Sequence, residues 1–130
     1  MDIHKEHRTL TRAEMDVMNI LWDNGHGMTT HEIIGCYNEP RPVYSTVATF
    51  LKILANKGFV GFHKREGCGK THVYYPLVQR AEYTRQAMKG VKDSFFGGSL
   101  KSLISFFARE EDMSDDDISE LLALIDRKME

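Results

Sequence analysis

Val43-Tyr44-Ser45-Thr46-Val47-Ala48-Thr49-Phe50-Leu51-Lys52-Ile53-Leu54 sets Val47, Phe50, Leu51 and Leu54 at i, i+3, i+4 and i+7, so the spacing predicts a helix with one buried stripe. Its opposite face carries Ser45, Thr49, Lys52 and Asn56. Short hydrogen-bonding groups plus one long cation suit a helix that lies in a major groove, touching base edges and phosphates without steric obstruction. The same composition also suits an ordinary solvated face. The residues that follow favour the groove.

Lys57-Gly58 reads as a helix C-terminus with its left-handed glycine. Phe59-Val60-Gly61-Phe62-His63-Lys64 and Thr71-His72-Val73-Tyr74-Tyr75 are β-rich runs around a glycine-containing loop, which predicts a hairpin stopped by Pro76. Lys64, Arg65, Lys70 and Thr71 stand at its shoulders and tip, as donors suited to phosphate oxygens or to a minor groove. Upstream, Thr11-Arg12-Ala13-Glu14 and Thr29-Thr30-His31-Glu32 each have the form of a capping box. The first opens a helix with Met15, Met18, Leu21 and Trp22 inward, ending at Asn24-Gly25; the second opens a short helix with Ile33, Ile34 and Tyr37 inward. Two helices, a third with a polar and cationic face, and a cationic hairpin make the order of a winged helix-turn-helix. The DNA-contacting candidates are Arg41, Tyr44, Ser45, Thr46, Thr49, Lys52, Lys64, Arg65, Lys70 and Thr71. Ser45, Thr46 and Thr49 are assigned to bases, and Lys52, Lys64, Arg65 and Lys70 to phosphates. The start of the second helix, with Thr29, Thr30 and His31, is either a further phosphate contact or a purely structural cap.

Net charge is −2, which taken alone argues against a polyanion as partner. The distribution reverses that inference. Residues 41–80 hold seven Lys/Arg against Glu66 alone, whereas residues 109–130 hold three against nine acids. Local field decides where a polyanion docks, so the acidic end is expected to face away from DNA. All six histidines precede residue 73, and their protonation adds to the basic side.

Beyond Arg80 the pattern is helical again. Ala81, Ala87, Met88, Val91 and Phe95 form a stripe before Gly97-Gly98; Ser99 starts a helix with Leu100, Leu103, Ile104 and Phe107 inward; Ser114-Asp115-Asp116-Asp117 caps a last one bearing Ile118, Leu121, Leu122, Ile125 and Met129. Three short amphipathic helices cannot bury so much apolar surface among themselves. A second copy is the economical partner, because a two-fold pair also presents two recognition helices to a palindromic site on double-stranded DNA. Leu100, Leu103, Ile104, Phe107, Leu121, Leu122 and Ile125 are the expected interface of that homodimer. The competing arrangement folds these helices back onto the winged domain of a monomer. The expected fold class is mainly α with a small β-hairpin, divided into a winged-helix DNA-binding domain over 1–78 and a helical dimerisation domain over 79–130.

A chain of 130 residues, 42% hydrophobic, is large enough for one such core and an appendage. It holds no run of eighteen apolar residues and opens on a polar segment, so neither membrane insertion nor a signal peptide is expected and the location is read as cytoplasmic. Cys36 and Cys68 fit neither a disulfide framework nor a cysteine metal site; a reactive thiol at Cys68, near the hairpin tip, is the alternative to an inert one. No phosphate loop, zinc-protease helix or nucleophile triad occurs, so no enzyme activity, cofactor or metal is expected. His4 and His7 at i, i+3 read as a mobile polar terminus, and Asp115, Asp116 and Asp117 as helix capping.

Ala13-Glu14, Val17-Met18, Leu21-Trp22, Glu32-Ile33, Tyr44-Ser45-Thr46-Val47, Thr49, Leu51, Leu54, Lys57-Gly58, Tyr75-Pro76-Leu77-Val78 and Gly97-Gly98-Ser99 run through nearly the whole chain in order. In these residues the chain resembles the penicillinase-repressor family of bacterial regulators, the group containing the β-lactamase and methicillin-resistance repressors. The resemblance implies a homodimeric winged-helix repressor that occupies an operator over resistance genes and over its own operon. It also implies a membrane-embedded sensor protease, triggered by β-lactam, that leads to cleavage in the dimerisation region. The position matching the family's cleaved Asn-Phe bond is Phe106-Phe107 here. The copper-responsive branch carries a cysteine-rich C-terminal hook, and no cysteine follows Cys68, so copper sensing is not expected. Two rivals from other classes are a ligand-sensing winged-helix regulator and a winged helix used as a protein-interaction module.

Overall fold

In a computed structural model the chain is described over residues 9–67, 69, 71–110 and 113–129, with the side chains at 122 and 125–129 outside the description. His4, His7, Cys68 and Lys70 therefore lie outside the described residues, as do the side chains of Leu122, Ile125 and Met129. Among the described residues six helices and one hairpin follow in the order α1 (Arg12–Asn24), α2 (Thr30–Gly35), α3 (Tyr44–Lys57), β1 (Val60–Lys64), β2 (His72–Pro76), α4 (Arg80–Phe96), α5 (Leu100–Glu110) and α6 (Asp115–Met129). The mainly helical class with a two-stranded hairpin is the expected one, and the element order is that of a winged helix.

The local signals act where the sequence places them. Thr11 Oγ1 accepts from the Glu14 N–H at 3.2 Å while Glu14 Oε1 accepts from the Thr11 N–H at 3.0 Å. Thr29 and Glu32 repeat the exchange at 3.2 and 2.8 Å. Each box satisfies donors that a helix start otherwise leaves open. Gly25 and Gly58 end α1 and α3 at φ 70° and 85°, a left-handed conformation that costs a residue with a Cβ.

The strands pair antiparallel with Val60 opposite Pro76 and Lys64 opposite His72. Met28 extends this sheet by an isolated bridge, exchanging backbone hydrogen bonds of 2.9 and 2.8 Å with Tyr74. Its neighbour Gly27 has no room for a side chain, since a Cβ there would lie 2.5 Å from Val73 Cγ1.

The chain divides into two compact units, the first running to Gln86 and the second from Ala87, with the division inside α4. In the first unit Val17, Met18, Leu21, Ile33, Val47, Leu51 and Leu54 are fully buried and form the centre of the core. The stripe read for α3 is therefore the core face, with Phe50 packed at its margin. On α1, Met18 and Leu21 are central and Met15 and Trp22 peripheral; Val17, on the adjoining position, completes the buried face. The start of α4 closes this core. Tyr83 is buried, its hydroxyl accepts from the Leu10 N–H at 2.9 Å, and its ring meets those of Trp22 and Phe59. Trp22 Nε1 in turn donates to the Val78 carbonyl at 2.9 Å.

The second unit is built differently. Ser99 and Ser114 cap α5 and α6 through hydroxyls that accept from Ser102 N and Asp117 N, each at 3.1 Å. Gly97 and Gly98, both at positive φ, break the chain between α4 and α5. Phe96 packs on Phe106 at 5.7 Å between ring centres. Among the described residues of this unit Leu103 alone is buried. Phe95 is 77% exposed, Leu100 55%, Phe107 42% and Leu124 55%, and Met88 is exposed too. The stripe read for α4 is thus not buried within the chain, beyond a half-covered Val91.

Candidate nucleic-acid interface

Because Val47, Leu51 and Leu54 point into the core, helical geometry turns Ser45, Thr46, Thr49, Lys52 and Asn56 outward, and all five are exposed. Thr49 Oγ1 donates to the Ser45 carbonyl at 2.9 Å. This leaves the hydroxyl oxygen as an acceptor and the methyl as an apolar contact, a pairing suited to an adenine or cytosine amino group and a thymine methyl in a major groove. Tyr44 opens the helix half-exposed, its ring 4.8 Å from that of His31 on α2. Arg41, exposed just before α3, donates from Nε to the Tyr37 carbonyl at 3.2 Å.

The wing is held to the same side. Arg65 N–H donates to the Thr71 carbonyl at 2.8 Å, closing the loop after Lys64, and Gly67 and Gly69 take positive φ within it. The Arg65 guanidinium reaches Glu32 of α2 at 3.3 Å. Glu32 is held below the ordinary carboxylate range, first by the Thr29 N–H it accepts and then by the Thr29 hydroxyl and Arg65. Both partners of that pair are nearly half exposed, so it contributes little to stability, and the guanidinium stays available to a stronger anion. An open cleft of about 300 Å³ lies between the starts of α2 and α3 and the wing, lined by Thr30, His31, Tyr44, Thr71, His72 and Tyr74 among others.

Of the sequence-derived candidates, the exposed α3 residues, Tyr44 and Thr71 thus adjoin one surface, with Arg65 tied to it through Glu32 and Lys64 paired opposite His72 in the hairpin. Two bases of the 41–80 segment belong elsewhere. Lys57 Nζ donates to Glu14 Oε1 at 2.7 Å, and Arg80 pairs with Asp23 at 2.6 Å while stacking over Trp22. Both carboxylates come from α1, which no local reading of the 41–80 stretch detects. His31 and His72 are the reverse case. Their place in the cleft depends on tertiary packing: the sequence offered His31 as a phosphate contact at the start of α2, whereas for His72 the only signal was the crowding of histidines before residue 73.

Comparison with known proteins finds relatives that align over nearly the whole chain. Methicillin resistance regulatory protein MecI of Staphylococcus aureus strain N315 is 28% identical over 119 residues, which cover 92% of this chain and 94% of its own. The penicillinase repressor of Bacillus licheniformis is 25% identical over 118 residues, covering 90% and 89%. A solved structure of PerR from Streptococcus pyogenes is a weaker likeness, with a TM-score of 0.49 and 16% identity over 73% of this chain and 76% of that one. The model of the penicillinase repressor family matches from residue 10 to residue 127, nearly the whole chain, and the chain belongs to that family.

Proposed function

We propose that this protein is a homodimeric transcriptional repressor that occupies a palindromic operator and is released when its dimerisation region is cut near Phe106-Phe107. The observation that carries the reading is the exposed Ser45, Thr46, Thr49 and Lys52 face of α3 beside a cationic wing. Arg41, Tyr44 and Thr71 border that face and Lys64 and Arg65 supply phosphate contacts, with Lys70 assigned there from the sequence. The relatives' names concern methicillin resistance and penicillinase, which supports β-lactam resistance genes as the regulated set. Footprinting of the purified protein on its own upstream region tests the reading. Protection of two half-sites is expected, and no salt-dependent shift of any duplex would leave a protein-interaction module instead.

Base readers and phosphate contacts are separable by substitution. Thr49→Ala is expected to cost about 1–3 kcal/mol against operators carrying the base it reads and little against others. Lys64→Ala is expected to weaken all duplexes alike and to flatten the salt slope by about one unit. Binding titrations on a set of single-base operator variants check both. A uniform loss for Thr49→Ala would remove it from base reading.

Release by proteolysis sets a condition on α5. Phe106 and Phe107 are both partly exposed within α5, and a protease needs the peptide extended, so cutting requires local opening of that helix. Mass spectrometry of the protein from β-lactam-treated cells is expected to find a fragment ending near Phe106. An intact chain with the target genes induced would favour a bound ligand as the switch.

A further inference from the structure

Histidines 31 and 72 come from elements far apart in sequence, yet both line the cleft between α2, α3 and the wing. The His31 ring lies tilted against Tyr44 at 4.8 Å between ring centres, and the His72 ring meets Phe62 edge-on at 5.0 Å and Tyr74 edge-on at 6.3 Å. Each ring is therefore backed by an aromatic neighbour. The cleft also offers the hydroxyls of Thr30, Thr71 and Tyr44. It opens beside the exposed face of α3, where a duplex lying on that helix brings its phosphate backbone. We infer that His31 and His72 form a phosphate seat for the DNA backbone, in which two imidazoles gain protons as the duplex docks and so tie operator affinity to pH. The inference rests on the DNA-binding reading above and adds to it His72 as a contact residue, its joint seat with His31, and the charge state of both.

The surrounding charges fix the direction of the effect. From α2, Glu32 faces the wing; it is held anionic well below neutrality by Thr29 and Arg65, so it does not titrate in the range where histidines ordinarily do. From β2, Tyr74 is pushed up by burial and by Tyr44 of α3, so it stays a neutral phenol there. The cationic neighbours are Arg65 and, paired with His72 across the strands, Lys64. A phosphate placed among these groups favours the charged imidazole, because each N–H then donates a charge-assisted bond to an anion. Binding must therefore take up protons, and affinity must fall as pH rises. If both rings change state, the gain is about tenfold between about pH 8 and about pH 6, with a salt slope steeper by up to about two units.

The test uses the full chain and the duplex protected in the footprint, at constant ionic strength. Wild-type affinity should rise about tenfold over that pH range, and the double variant His31→Gln/His72→Gln should stay flat at the wild-type high-pH value. His26→Gln, on the far side of the hairpin beside Trp22 and Tyr75, should keep the wild-type profile. A second readout needs no variant: calorimetry of wild-type binding near neutrality in buffers of different ionisation enthalpy should register proton uptake. Binding without proton uptake, or a double variant that binds with the wild-type pH slope, would overturn the inference and leave the DNA-binding reading standing. Absence of any shift at any pH would take down both.

Discussion

Glu14→Ala is expected to lower the stability of the winged unit by about 3 kcal/mol and its melting temperature by roughly 12–24 °C. The side chain of Glu14 is only 5% exposed, and its Oε1 accepts from both Lys57 Nζ and the Thr11 N–H. Removing it takes a carboxylate from beside an ammonium that is itself only a third exposed, for about 2 kcal/mol, and opens half of a capping box, for about 1 kcal/mol. The loss reaches the recognition helix directly, because Lys57 is the last residue of α3 and Glu14 sits in the first turn of α1.

The same pair makes an acid-dependent contribution. Burial pushes the Glu14 carboxyl up, but the Lys57 hydrogen bond, the Thr11 N–H and the Lys57 charge together outweigh it and hold the group below its ordinary value. A carboxyl whose pKa is lower in the folded state adds stability above its unfolded value, and that stability drains away as pH falls through the folded one. The gap between wild type and Glu14→Ala should therefore be full at about pH 7 and narrow in acid below the ordinary Glu value of about 4.3. Thermal melts of the two proteins across that range check it. Equal melting temperatures at neutrality would show that the pair holds nothing together.

What the sequence made legible was whatever is written within a few residues. The capping boxes at Thr11 and Thr29, the glycine ends at Gly25 and Gly58, the stripe of α3 and the hairpin are each local, and each stands where its spacing puts it. Contacts between distant segments were not legible. Lys57 lies 43 positions from Glu14 and Arg80 57 from Asp23, so a charge count over 41–80 includes two cations that α1 already matches. Met28 joins the sheet as a single bridged residue, too short to announce itself as a strand. The site followed the same rule. The outward face of α3 came from periodicity, whereas the cleft needed α2, α3 and β2 to be brought together before His31 and His72 became neighbours of one space. In the second unit the pattern gave the apolar positions, but Met88, Phe95 and Leu100 remain exposed within one chain, since amphipathy states that a face wants cover without stating by what.

Phe107→Asp is expected to split the proposed dimer and to reduce operator affinity a hundredfold or more, about 3 kcal/mol. Phe107 shares a face of α5 with Leu100, Leu103 and Ile104 and is 42% exposed in the single chain, so the substitution spares the buried centre of that unit at Leu103. Leu103 would be a poor probe. It is buried in its own unit, and a charge there would unfold that unit before it reported on a partner. At Phe107 the cost falls on association instead, because a carboxylate must lose its water when a second copy covers the α5 face, and Leu121, Leu122 and Ile125 are the proposed α6 contribution to that cover. Two half-site readers tied in one dimer bind with a high local concentration; separated, each returns to its weak affinity for a half-site although no DNA-contacting residue has changed. Sedimentation should show a dimer for the wild type and a monomer for Phe107→Asp at micromolar concentration, with the winged unit melting as before. A Phe107→Asp protein that remains dimeric and holds its operator with wild-type affinity would move the interface off this face of α5.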